Sequence, residues 1–308
     1  MAKTVLLFPG QASQYVGMGK DLYQESAEVR KLYELASDVI GEDIAELSFN
    51  GPSETLRRTR FTQPAILLHS LAMLQVMKDE PLSFEFAAGH SLGEYGALAA
   101  CGALSFEDAV KAVVRRASLM EEACVANPGT MAAVMGLSSE EVDQLCEKAS
   151  AAGVVVPANY NSDAQIVISG AVAAVEKAVE VAKEMGAKRA ILLEVGGAFH
   201  SPLMEPARAG LEAYLKDITI NTPTRPVIAN VVASPVSSAE EIRDLLVKQI
   251  TAPVRWSQTM SYLEAQAVTR VIEIGPGKVL SGLAKRALSA ELILNLDTLE
   301  QLRTFAAS

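Results

Sequence analysis

Hydrophobic positions along this chain fall into two kinds of patch. Short unbroken apolar runs closed by Gly or Pro read as buried strands, and longer stretches with apolar residues three or four apart read as helices. TVLLF at residues 4–8, closed by PGQASQ, is the first such run. Helices are predicted over 27–48 and 64–78, the second with Ala65, Leu68, Ala72 and Val76 along one face. A second strand follows at 84–88, then helices over 92–101 and 106–126, the latter opened by Ser105 as N-cap.

At Asn127-Pro128-Gly129 the rhythm changes. TMAAVMGL predicts a strand, SSEEVDQLCEKASAAG a helix capped by Ser138, VVVPANYN and AQIVISG a pair of strands, AVAAVEKAVEVAKEMG a helix and AKRAILLEV a strand. The order β-α-β-β-α-β over 130–195 is a split βαβ unit, which forms its own small sheet with two helices on one face. The first pattern resumes at Gly196, with strands near 226–232 and 268–274, helices between them and a GPGK turn at 275–278. The expectation is an α/β protein. A parallel main sheet occupies 1–127 and 196–308, and a small domain is inserted at 128–195.

Composition narrows the function. The 308 residues, 50% hydrophobic, are ample for a core larger than one small unit. A net charge of −10 argues against nucleic acid or an anionic membrane as partner. Cys101, Cys124 and Cys146 lack CxxC or metal-like spacing and read as reduced structural thiols. MAKTVLLFPG is too short for a secretory core, and no run approaches the roughly 20 apolar residues of a membrane span, so a soluble cytoplasmic protein is expected.

The chemistry centres on FAAGHSLGEYGAL, residues 86–98. GHSLG fits G-x-S-x-G between a strand and a helix, where a serine on a sharp turn projects its Oγ from the sheet edge. Glycines on either side let chain segments pass close together. The alternative is an ordinary small residue in a tight corner; the strand–turn–helix context favours Ser91 as nucleophile. The N–H of Leu92, on the new helix's first turn, points to where an oxyanion would form. A serine needs a base, and the chain has three histidines. His90 neighbours the serine and should point away from it, packing or orienting the turn. His69 lies within a predicted helix and reads as packed or surface-exposed. His200, in VGGAFHSP at the end of a predicted strand, sits where α/β sites form and is the candidate base. No acidic residue occupies an obvious loop between Ser91 and His200, so a dyad is expected, with a backbone carbonyl able to hold the imidazole tautomer.

Six blocks, FPGQASQ at 8–14, TQPA at 62–65, GHSLGEY at 89–95, RASLM at 116–120, GAFHSPLM at 197–204 and GPGKVLSGL at 275–283, occur in an order and spacing that resembles the malonyl-CoA:acyl carrier protein transacylases of fatty-acid synthesis. The resemblance runs over essentially the whole chain. It implies an α/β-hydrolase-like large domain with a ferredoxin-like small one, a malonyl ester on Ser91, and His200 as its partner. It further implies that the main-chain carbonyl of Gln249, in KQITAPVRW, holds the histidine and that the N–H groups of Gln11 and Leu92 form the oxyanion hole. Arg116 becomes the malonate-binding residue, Gln63 and Asn161 pocket walls, and Phe199 the ring that would crowd an α-methyl group. A guanidinium offers a carboxylate two parallel donors, which lysine cannot reproduce; the plain alternative is an arginine that caps or solvates its own helix. One departure is Gly197, where related domains of modular synthases often carry histidine, so rejection of methylmalonyl would rest on Phe199 alone.

The implied reaction is ping-pong, from malonyl-CoA to the phosphopantetheine thiol of acyl carrier protein, with no metal or tightly bound cofactor and with a monomer expected. Acyl carrier proteins are acidic, so an acidic chain needs a local basic patch to dock one. Lys285 and Arg286, with Lys188 and Arg189, are the candidates; Arg57, Arg58 and Arg60 are the alternative, and solvated helix faces are the ordinary reading of such clusters. Rival readings are a serine esterase or thioesterase, a non-catalytic subunit, and a trans-acting acyltransferase of polyketide assembly.

Overall fold

A computed structural model describes residues 2–78 and 82–306. Its strands, in chain order, are β1 (Lys3–Phe8), β2 (Phe86–Gly89), β3 (Gly129–Met135), β4 (Val155–Ser162), β5 (Gln165–Ala171), β6 (Arg189–Leu192), β7 (Val227–Ala229), β8 (Ser234–Val236), β9 (Val268–Ile274) and β10 (Leu292–Leu296). They form two sheets. The larger has the order β10-β9-β1-β2-β7-β8. Its neighbours run parallel except at the antiparallel β7–β8 edge.

The apolar run of β1 is explained by burial on both faces, as in other parallel sheets flanked by helices. Leu6 and Phe8 point to one side, into a core built with the helices Thr59–Val76 and Phe106–Ala126. Val5 and Leu7 point to the other, onto Trp256, Met260, Leu280 and Ala284.

The second sheet, β4-β5-β3-β6, is antiparallel throughout. Ala132, Val134, Ile166 and Ile168 turn one face toward Val142, Leu145, Val175 and Ala178 of the helices Ser139–Ala149 and Val172–Glu184. The alternate residues Met131, Ala133 and Val167 join the main core instead, so the bare face of the small sheet covers the end of the large one. Main-chain bonds fix this seat: Val254 donates to the Ala158 carbonyl at 2.8 Å, and Tyr160 donates back to the Val254 carbonyl at 2.9 Å.

Several predicted bounds move for physical reasons. The helix expected over 27–48 is two helices, Ala27–Ile40 and Ile44–Asn50, because Gly41 takes a left-handed φ of 77° and Asp43 caps the next turn through the Glu46 N–H. The helix expected from 64 starts earlier, at Thr59. The Arg58 carbonyl accepts from both Phe61 and Thr62, so Pro64 joins a turn already formed. β8, Ser234–Val236, is short and lacks alternation or an apolar run of its own, and pairing with β7 makes it a strand; β10 has the apolar run LILNL and pairs with β9. Among the described residues no helix is long and apolar enough to cross a membrane.

Candidate active site

The turn after β2 carries Ser91 at a φ of +52°, the left-handed region that an L-residue occupies only when its surroundings hold it there. The flanking glycines are steric requirements. A Cβ on Gly89 would lie 1.9 Å from the Gly93 carbonyl carbon, and one on Gly93 would lie 2.1 Å from the Phe8 oxygen. Asn230, just after β7, completes the clamp: its Oδ1 accepts the Ser91 N–H at 2.7 Å, and its Nδ2 donates to the Gly89 carbonyl at 2.7 Å.

His200 Nε2 stands 2.8 Å from Ser91 Oγ, although 109 residues separate the two in the chain. Its Nδ1 lies 2.8 Å from the Gln249 carbonyl. Since a carbonyl only accepts, Nδ1 carries the proton and Nε2 presents its lone pair to the serine hydroxyl. Burial, and then the charge of Arg116, pull the imidazole down to about 3, so it stays neutral across the physiological range. A main-chain carbonyl occupies the place that an aspartate fills in a triad.

Arg116 projects from the Phe106–Ala126 helix and is fully enclosed. Nη1 donates to Gln63 Oε1 at 2.5 Å; Nη2 donates to Ser91 Oγ at 3.0 Å and to Gln249 Oε1 at 2.9 Å. Its Nε has no partner among the described residues. The reading of a solvated helix arginine therefore fails: the guanidinium reaches the nucleophile itself.

These groups meet at a cleft of about 500 Å³ between the two sheets. Gln11, Gln63, Leu92, Asn161 and Phe199 line it with Ser91 and His200, as expected. The N–H groups of Gln11 and Leu92 donate to no acceptor among the described residues, as an oxyanion hole requires of its donors. Asn161 Oδ1 lies 2.9 Å from His90 Nε2, tying the small sheet to the residue before the nucleophile. The His90 ring packs on Trp256 and makes no bond to Ser91, which agrees with its orienting role. His69 is buried, with Nε2 3.1 Å from Asp297 Oδ1, and takes no part in the cleft. A hollow of similar volume, about 510 Å³, lies by Tyr33, Glu34, Asp38 and Glu42 but has no nucleophile–base pair.

One expectation needs correcting. A Cβ at Gly197 would sit 2.1 Å from Cys124 Sγ, so that position faces the Phe106–Ala126 helix and not the acyl site. The lack of a side chain there removes nothing from the cleft. Among the basic residues, Arg57, Arg58 and Arg60 are paired with Glu194, Glu121 and Glu42 at 3.6, 2.5 and 3.4 Å. Lys285 and Arg286 are exposed and form no ion pair among the described residues, and Arg286 lines the cleft. Lys188 and Arg189, at the start of β6, lie beside Gly136 and Met135, and Met135 pairs on its other side with the cleft-lining Gln165.

Two site residues escaped the sequence reading. Asn230 carries no motif. Glu94 lies within GHSLGEY but is hidden by the ordinary reading of an acid in a helix's first turn. It is buried, its Oε2 accepts from Asn230 N–H and Gln249 Nε2 at 2.9 Å each, and burial pushes it up to about 7. The signal available was its setting, since Gly93 to Ala99 contains no other charged residue and every position is buried.

Comparison with known proteins agrees with this geometry. The acyl transferase domain family matches residues 5–299. A malonyl CoA-acyl carrier protein transacylase of Bacillus subtilis is 45% identical over 304 residues, 97% of this chain and 96% of that protein. The acyl-carrier-protein-S-malonyltransferase of Bartonella henselae superposes with a TM-score of 0.93 at 40% identity, over 99% of this chain and 98% of that one. A malonyl-transacylase solved in complex with a type II PKS acyl-carrier protein superposes at 0.92 with 39% identity, covering 98% of each chain. The nucleophile turn, its histidine and the enclosed arginine thus lie in a chain that belongs to the malonyl CoA-acyl carrier protein transacylase family of acyltransferases.

Proposed function

We propose that this chain moves a malonyl group from malonyl-CoA to the phosphopantetheine thiol of an acyl carrier protein through an ester on Ser91. The observation that carries the reading is the meeting of two groups on one oxygen: Ser91 Oγ has His200 Nε2 at 2.8 Å and Arg116 Nη2 at 3.0 Å. A base alone would suit any acyl group. A base beside a buried guanidinium suits one that ends in a carboxylate.

The steps follow from the contacts. Ser91 gives its proton to His200 Nε2 as Oγ attacks the thioester carbonyl. The tetrahedral oxyanion is held by the N–H groups of Gln11 and Leu92. Collapse breaks the C–S bond, and the CoA sulfur leaves with the proton from His200. The malonyl carboxylate draws Nη2 of Arg116 away from the serine and engages the unpartnered Nε, while Gln63 keeps Nη1 in place. Phe199, at the cleft wall, crowds a substituent on the malonyl α-carbon. The carrier's thiol then gives its proton to His200 and attacks the ester, and the serine hydroxyl is restored as the second tetrahedral adduct collapses. Every proton and developing charge in the scheme is met by a group of this one chain, so it calls for no metal, cofactor or second subunit.

The topology supports a finer description of the fold: an α/β-hydrolase-like domain over 1–127 and 196–308 around the six-stranded sheet, and a ferredoxin-like domain over 128–195. The exposed Lys285–Arg286 pair beside the cleft is the proposed dock for an acidic carrier, of fatty-acid or polyketide synthesis. The test is incubation with labelled malonyl-CoA. Wild type should carry covalent label, release it to an acyl carrier protein bearing phosphopantetheine, and hold it for far longer in water alone, while Ser91→Ala should carry none. Label on Ser91→Ala removes the nucleophile; rapid loss to water without an acceptor makes the chain a thioesterase.

A further inference from the structure

Gln249 touches all three central residues, in two separable ways. Its main-chain carbonyl holds His200 Nδ1. Its side-chain amide spans the space behind the serine: Nε2 donates to the Ser91 carbonyl at 3.0 Å and to Glu94 Oε2 at 2.9 Å, and Oε1 accepts from Arg116 Nη2 at 2.9 Å. A side-chain amide has two orientations of nearly the same shape, related by exchanging oxygen and nitrogen. The carboxylate on one side and the guanidinium on the other leave one of them workable. The flipped amide would set its oxygen against Glu94 and its NH2 group against Arg116, and bury both mismatches.

Glu94 is itself fixed. It sits in the first turn of the buried Gly93–Ala100 helix, and the same Oε2 also accepts the Asn230 N–H at 2.9 Å. Arg116 depends on partners of this kind, because its Nε has none among the described residues. Gln63 holds Nη1, and the Gln249 amide with Ser91 Oγ holds Nη2.

We propose that Glu94 is the positioning residue of the carboxylate-binding arginine: by fixing the Gln249 amide it keeps Oε1 facing Arg116 and the guanidinium beside Ser91. The inference rests on reading Arg116 as the group that binds the malonyl carboxylate. Glu94 touches neither substrate nor the reacting atoms. Its effect should fall more on acyl-group preference than on the intrinsic reactivity of the serine, because the His200 tautomer is held by the main chain of Gln249 and not by its amide.

The experiment compares kcat/KM for malonyl-CoA and acetyl-CoA with the rate at which a neutral phosphonyl fluoride labels Ser91. Glu94→Leu should lower the malonyl-to-acetyl ratio about tenfold or more, and by more than it lowers labelling, a split that general damage to the fold does not produce. Glu94→Gln, which keeps an acceptor oxygen, should restore the ratio. Gln249→Leu should reproduce Glu94→Leu, and the double variant should be no worse than either, as for two residues acting through one contact. An unchanged ratio in Glu94→Leu overturns the proposal, as does a fall of labelling and both substrates together, or effects that multiply in the double variant. If Glu94→Leu fails to fold, Gln249→Leu decides: retention of the malonyl preference overturns the proposal. Arg116→Ala separates the two levels of the argument. Preference kept in that variant refutes the reading of Arg116; preference lost there but kept in Glu94→Leu and Gln249→Leu refutes the role of Glu94 alone.

Discussion

The state of His200 makes the sharpest demand on experiment. The perturbation is pH, applied to the free protein, and the readout is the rate at which a neutral phosphonyl fluoride labels Ser91, so that neither substrate carboxylate nor acceptor thiol titrates with the base. Burial and the Arg116 charge pull the imidazole from 6.5 to about 3, against smaller upward effects of the Gln249 and Ala252 main chain. A histidine at its ordinary value would be only about 3% neutral at pH 5; one near 3 would be about 99% neutral. Labelling should therefore be flat from pH 8 to pH 5, a difference of roughly thirtyfold at the acid end between the two cases. Glu94, pushed up to about 7, is another buried group of this site that titrates in the range, and Glu94→Gln separates its contribution. Arg116→Ala should move the acid limb upward by removing one of the two main causes. A rate that halves near pH 6.5 in both wild type and Glu94→Gln would refute the reasoning. The same depression bears on stability. The folded state refuses a proton that the unfolded chain accepts, so this residue costs no stability above pH 6.5 and destabilises progressively as pH falls from there toward 3.

Other perturbations follow from single contacts. Gly93→Ala places a methyl group 2.1 Å from the Phe8 oxygen, so it should cost about 1–3 kcal/mol or more, read as a lower melting temperature, and should abolish Ser91 labelling. Phe199→Ala opens the cleft wall and should raise the methylmalonyl-to-malonyl kcat/KM ratio about tenfold or more; an unchanged ratio assigns the selection elsewhere. Charge reversal of Lys285 and Arg286 together should raise KM for the acyl carrier protein, increasingly at low salt, and leave KM for malonyl-CoA within about twofold; equal effects on both would refute the docking site.

Much of this protein can be read from local chemistry along the chain. The buried run of β1, the Ser105 and Ser138 caps, and the βαββαβ order of the inserted sheet depend on apolar periodicity and turn residues, which act over a few positions and survive in a one-dimensional reading. The serine turn is equally local, because Gly89 and Gly93 serve the same few ångströms of backbone as Ser91. Ser91 and His200 could be named as candidates on these grounds, and Arg116 only through the resemblance that the six ordered blocks carry.

What the sequence could not settle was which side chains meet. Ser91 and His200 lie 109 residues apart, and Ser91 and Gln249 lie 158 apart; parallel strands joined by crossovers bring them together, and no local pattern records that approach. Arg116 has the spacing of any helical arginine until the packing of its helix encloses it against the serine. Glu94 and Asn230 matter through partners that only the assembled sheet supplies, and Gly197 faces Cys124 for the same reason. Periodicity in the chain determined which elements form and where the nucleophile turn sits. Tertiary packing alone decided which polar groups are desolvated together, and that shared burial sets the charge state of the histidine and the hold on the arginine.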